Sequence, residues 1–251
     1  MTKLSEITQY CDQFLRIAEC DDWANALNGL QVENSGTVKK IGAAVDASSR
    51  IFAAAAERGI DLILVHHGLF WAGPQPIAGA VRRQIATLFE HDIALYSAHL
   101  PLDVHPLVGN NAQLAAALGL TETEPFFEEK DQLIGVRAKL QIFPNELARK
   151  LEHSLGSSVK LFASGPPTTA EIGIITGGAG SEIYAVAREG IDTFITGEAP
   201  HWAAVAAEEL GLNLLLGGHY ATETFGVKAL AAHLAEHFDL PWEFLDAPTG
   251  L

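Results

Sequence analysis

Apolar positions recur with helical spacing from Leu4 to about Leu15, which predicts an amphipathic helix with Ser5 or Thr8 as its start signal. The pattern then changes. KKIGAAVDAS reads as a strand that ends at Asp46, and SSRIFAAAAERG as an Ala-rich helix closed by Gly59. IDLILV is a short continuous apolar run, as in a strand buried on both faces. The Gly and Pro of HHGLFWAGPQP (66–76) predict a loop. AVRRQIATLFEHD is helical, IALYSAH a strand, LPLDVHPLVG a loop, and NNAQLAAALGL a helix stopped by Gly119. Strands alternating with helices predict an α/β architecture.

The pattern also repeats. Residues 41–71, IGAAVDASSRIFAAAAERGIDLILVHHGLFW, align without a gap on residues 172–202, IGIITGGAGSEIYAVAREGIDTFITGEAPHW, 131 positions further on. Ile-Gly opens both, Gly-Ile-Asp recurs in the middle, and Trp closes both. Each reads strand, turn, helix, strand, loop. Downstream, LYSAHLPLD (95–103) and LLLGGHYATE (214–223) share a form: a strand, then His, three residues and a carboxylate. This reads as an internal duplication of one α/β unit.

Composition narrows the class. The chain has 251 residues, 48% of them hydrophobic and 19% charged, which suits a globular protein with one large core or two modest ones. The formal charge of −15 repels phosphate backbones and argues against a nucleic-acid partner, while it favours cations in clefts. Cys11 and Cys20 lack CxxC spacing and read as reduced thiols. MTKLSEITQYCDQF has no signal-peptide core, and no apolar run approaches the roughly 20 residues of a membrane span. The expected location is the cytoplasm.

Ligands of open α/β sheets bind beyond the carboxyl ends of the strands. Four strand ends carry polar, ligand-capable residues: His66-His67 after DLILV, HLPLD with His99 and Asp103 after IALYSA, GEAPH with Glu198 and His201 after DTFIT, and HYATE with His219 and Glu223 after NLLLGG. Imidazoles and carboxylates without Cys suit Zn, Mn, Fe or Ni. On a regular strand, His66 and His67 would point to opposite faces; on a loop past the strand end, both could serve metals. His91, His105, His153, His233 and His237 read as structural. The Gly-rich turn TGGAGSE (176–182) could cradle phosphate, but it lacks the Lys of a Walker A motif, and a tight turn with Ser181 as helix cap is the plainer reading. SGPPTTAE (164–171) reads as a surface loop.

LVHHGLFW, SAHLPLDVHPLVGNNAQLA, ITGGAGSE, TGEAPHW and GHYATE, in that order along essentially the whole chain, resemble the YbgI-like dinuclear-metal-centre family, many of whose members are called GTP cyclohydrolase 1 type 2 homologues. The resemblance implies two similar, interlinked α/β domains, here 1–128 with 217–251 and 129–216. It implies a toroidal homohexamer and two divalent metal ions per subunit. The ligands it carries over are His66, His67, Asp103, His219 and Glu223, with Glu223 bridging, His67 and Asp103 on one metal, and His66 and His219 on the other. It implies a small-molecule substrate, a nucleotide in the GTP cyclohydrolase reading. Two metals about 3.5–4 Å apart would then hold a hydroxide for attack on C8 of guanine, with loss of formate. His99 is placed to orient Asp103 or relay protons, and Glu198 and His201 to act as general acid or base. Two rival readings stand beside this one: a non-catalytic metal-binding scaffold or regulator, and a redox centre.

Overall fold

The computed structural model describes residues 1–73 and 75–251; Pro74, within the loop expected over 66–76, lies outside them. The chain forms two compact units. The first comprises Met1–Val108 and Gly226–Ala247, the second Gly109–Phe225 and Pro248–Leu251.

The first unit is built on a five-stranded sheet in the order Trp242–Phe244, Ile41–Asp46, Leu62–His67, Ala94–Ser97, Gly29–Val32. The first four strands are parallel and the last is antiparallel. Side chains alternate between two cores, one on each face. Ile41, Ala43, Leu62, Leu64 and Tyr96 pack with Leu4, Ile7 and Cys11 of the first helix and with Val227, Leu230 and Leu234. Ala44, Ile63, Val65 and Leu95 pack with Ile51, Phe52 and Ala55 of the helix Ser49–Glu57 and with Leu88. Burial on both faces is why the strands read as unbroken apolar runs.

The second unit has a six-stranded sheet in the order Thr123–Glu129, Gln132–Lys139, Glu171–Ile174, Thr193–Thr196, Asn213–Leu216, Lys160–Ala163. Its three repeat strands are parallel and the flanking strands antiparallel. Ile172, Ile174, Ile195 and Leu215 meet Leu147 and Leu151 in its core.

The duplication is visible in the strand register. Ile41 pairs with Leu62 in the first unit, and their repeat partners Ile172 and Thr193 pair in the second. Both units therefore share one strand–helix–strand frame.

Four expectations change. The chain passes between units at 108/109 and 225/226, not at 128/129 and 216/217. The reason is packing: Leu114, Ala115, Leu118 and Leu120 join the core of the second unit, and Thr123–Glu129 pairs with Gln132–Lys139. The first helix, Leu4–Phe14, begins after Lys3 with no side-chain cap, so neither Ser5 nor Thr8 starts it. Leu100–Asp103 is a helical turn rather than a loop. The strand expected to end at Val65 continues through His67, so both histidines are strand residues. Among the described residues, no helix is long and apolar enough to cross a membrane.

Candidate metal centre

In the first unit, His66 and His67 end the central strand Leu62–His67 and are tied to different neighbours. His66 Nδ1 lies 2.9 Å from the carbonyl of Ala98, just beyond the strand on one side. His67 Nδ1 lies 2.9 Å from Asp46 Oδ1, at the end of the strand on the other side. Parallel pairing puts Asp46 opposite His67. Despite their adjacent places on a strand, the two imidazole centroids are only 4.8 Å apart.

His99 follows the strand Ala94–Ser97 and is held the same way. Its Nδ1 is 2.9 Å from Asp22 Oδ1, and its backbone N–H donates to Asn28 Oδ1 at 2.8 Å. Asp22 also accepts from Asn28 Nδ2 and from the N–H of Leu100. Burial pushes the Asp22 carboxyl up, but the hydrogen bond and charge of His99, with the bonds from Asn28 and Leu100, outweigh it and hold the group below the usual range.

A carbonyl or carboxylate can only accept, so each of these three imidazoles carries its proton on Nδ1 and offers the Nε2 lone pair. This is the usual arrangement behind metal-ligating histidines. One ring nitrogen from each of His66, His67 and His99 lies within 4.8 Å of the others. Asp103 joins from the turn Leu100–Asp103, with Oδ2 3.5 Å from His66 Nε2.

In the second unit, His219 Nδ1 lies 3.0 Å from Glu198 Oε1 and Nε2 lies 3.1 Å from Glu223 Oε1. Burial lowers the His219 pKa, but Glu223 first and Glu198 second outweigh it and raise the group to about 9. The Gly-rich turn makes room for this pair. The carbonyl of Gly177 accepts from the N–H groups of Gly197 and Glu198, both at 2.9 Å, and its own N–H donates to Thr222 Oγ1. A Cβ on Gly177 would stand 2.1 Å from Glu223 Oε1, and one on Gly197 would stand 2.7 Å from His219 Cα. TGGAGSE thus serves close approach of backbone to carboxylate. Ser181 caps no helix: the helix Ile183–Arg188 starts after Glu182, and the Ser181 hydroxyl bonds to Glu182.

The two downstream His-x-x-x-acid segments are not equivalent by position. Val65 pairs with Ser97, and its repeat partner Thr196 pairs with Leu216. Counting on from those pairs, His99 matches Gly218, and both stand just before a helical turn. His219 instead matches Leu100, inside the turn. The similarity of LYSAHLPLD and LLLGGHYATE is therefore one residue out of step.

The donor sets fit divalent metal. Each unit brings imidazole together with carboxylate, and no Cys is among these donors. Of the sequence-predicted residues, His66, His67, His99 and Asp103 cluster in the first unit, and His219, Glu223 and Glu198 in the second. His201 stands exposed as the first residue of the helix His201–Leu210. Sequence reading missed Asp22, Asn28 and Asp46, which hold the histidines in place. Asp46 carried a signal, as a carboxylate at the end of a strand parallel to that of His67. Asp22 lies in CDDWANALNG, where no periodicity marks it.

Comparison with known proteins follows the same line. The family model of Duf34/NIF3 (NGG1p interacting factor 3) matches residues 2–249. The chain belongs to this family. Its Duf34/NIF3 relatives include the GTP cyclohydrolase 1 type 2 homolog of Deinococcus radiodurans, 40% identical over 98% of this chain and 94% of that protein. The Escherichia coli K12 protein of the same name is 41% identical over 98% of both. Among solved structures, protein ybgI, described as of unknown function, superposes with a TM-score of 0.92 at 39% identity. TTHA1606 from Thermus thermophilus gives 0.91 at 43% identity. In both cases the whole of each chain is covered.

Proposed function

We propose that this protein is a metal-dependent hydrolase of small molecules, of the GTP cyclohydrolase 1 type 2 kind. In this reading His66, His67, Asp103, His219 and Glu223 bind two divalent ions per subunit. The observation that carries it is the shared anchoring of the imidazoles. His66, His67, His99 and His219 each have Nδ1 engaged by an oxygen, of Ala98, Asp46, Asp22 and Glu198 respectively. A core histidine needs no such uniformity; a ligand does, because its tautomer and direction must both be fixed.

When bound, paired divalent ions supply Lewis acidity and make water a nucleophile near neutral pH. The chain's own residues set the rest. Asp46, Asp22 and Glu198 orient imidazoles. His99, with its proton fixed on Nδ1, can accept a second proton at Nε2 and return it. Glu198 and His201 are the remaining proton-transfer groups of this reading. The names carried by the relatives support GTP as substrate, with ring opening and formate release. Assembly as a homohexamer and residence in the cytoplasm complete the proposal.

The test is metal analysis joined to formate release from GTP. Two equivalents of metal and formate released in step with GTP consumed are expected. Metal retained without formate, while another small molecule is turned over, would overturn GTP as substrate. No metal bound by the folded protein would overturn the whole reading.

A further inference from the structure

The first unit also contains a cavity of about 380 Å³, in the size range of small-molecule sites. Its walls are the segment 24–27, the segment 69–77 that follows the histidines, and one side of the helix Gly79–Glu90. Leu27, Leu69, Phe70 and Ile77 give it an apolar lining, and the amides of Asn25 and Gln75 are its main polar groups. Among the described residues, no Lys, Arg, His, Asp or Glu lines it.

Each wall carries a tryptophan that touches the histidine cluster. Trp71 meets His99 edge-on with centroids 4.7 Å apart and lies 5.3 Å from His67. Trp23 meets His99 edge-on at 6.0 Å. Both indoles remain 42–43% exposed. Gln31 fixes one wall against the other: its Nε2 donates to the carbonyl of Leu27 at 2.9 Å and its Oε1 accepts from the N–H of Leu69 at 2.8 Å. Gly68 leaves the space that Gln31 fills, since a Cβ there would stand 2.1 Å from Nε2.

We propose that this cavity receives an uncharged, planar heteroaromatic ring of the substrate, with Trp71 and Trp23 as stacking walls at the edge of the histidine cluster. The proposal rests on the metal-centre reading above. An unpaired charge is costly to bury among such side chains, so an anionic group is excluded from the cavity. Two large exposed indole faces favour a flat ring of any base type. The amides of Asn25 and Gln75 offer a donor and an acceptor each for the ring edge. Phosphates, if the substrate has them, lie outside the cavity.

The test is calorimetric titration of the metal-loaded protein with guanosine, with adenosine and with inorganic tripolyphosphate, metal content being measured on each sample. Both nucleosides are expected to bind, and prior tripolyphosphate should leave their affinity unchanged. Trp71→Ala should weaken nucleoside binding about tenfold, within the range for loss of one stacking face, with metal content intact. Trp71→Phe should restore most of it. Ile77→Trp, at an exposed position on the cavity, should block the ring without disturbing the fold. Unchanged nucleoside affinity in Trp71→Ala and Ile77→Trp would overturn the proposal, as would competition by tripolyphosphate or failure of both nucleosides to bind the wild type. Nucleoside binding by a protein that takes up no metal would overturn the metal-centre reading instead.

Discussion

Gly177→Ala isolates what the Gly-rich turn does. Gly177 has φ +70°, and its absent Cβ would stand 2.1 Å from Glu223 Oε1. Two costs follow. The left-handed backbone costs an alanine about 1–2 kcal/mol, or about 2–8 °C in Tm for a chain of this size. The carboxylate must also retreat, because ordinary contact begins at 3.4 Å; that is a displacement of about 1.3 Å, the difference of the two distances. Glu223 is only 3% exposed, so it has little room to move. A shift of about 1 Å in a functional group can cost about 100-fold. Gly211→Ala is the control. Its φ is +63° and nothing stands within 4 Å of its Cβ position, so it carries the backbone cost alone. Thermal melts and metal titration of both variants decide the matter. Similar losses in Tm are expected, with metal affinity reduced about 10–100-fold in Gly177→Ala only. Wild-type affinity in Gly177→Ala would refute the argument that the turn exists to admit the carboxylate.

Asp46→Asn keeps the size of the group that holds His67 but removes its charge; metal affinity should fall about 10–100-fold, measured by competition with a chromogenic chelator. His67→Ala and Glu223→Ala should lower the metal content of purified protein well below that of His153→Ala, whose imidazole is exposed near the end of the helix Pro144–Leu155. Equal retention in all three would refute the ligand assignment. Burial pushes the Cys11 thiol up, whereas Cys20 is partly exposed. A thiol reagent should therefore label one cysteine in the native protein and the second only on unfolding, which mass spectrometry of the labelled peptides can check.

Much of the frame was legible because its causes are local. Continuous apolar runs between Gly, Pro and polar turns marked the parallel strands, and the repeat at 41–71 and 172–202 reappears as identical strand register. The unit boundary was not legible, because the apolar face of the helix Asn110–Ala117 suits either sheet and only packing assigns it. The site divides in the same way. His66, His67, Asp103, His219 and Glu223 stand out as side chains at strand ends. Their supports do not: Asp22 is 77 positions from His99, and the bond between them depends on how CDDWANALNG folds back. The two strand histidines were expected on a loop because alternation separates neighbours; what brings their rings together is attachment to different flanking strands.

The one-residue slip between the two His-x-x-x-acid segments bears on the history of the chain. In the first unit the histidine occupies the position before the helical turn, with its backbone N–H held by Asn28; in the second that position is Gly218, at φ +92°. An alignment that lays His99 over His219 therefore equates a residue outside the turn with one inside it. Tracing ancestry through the metal donors would give one answer, and tracing it through strand pairing another. Gene duplication copied the scaffold faithfully, while the chemistry in each copy took its own course.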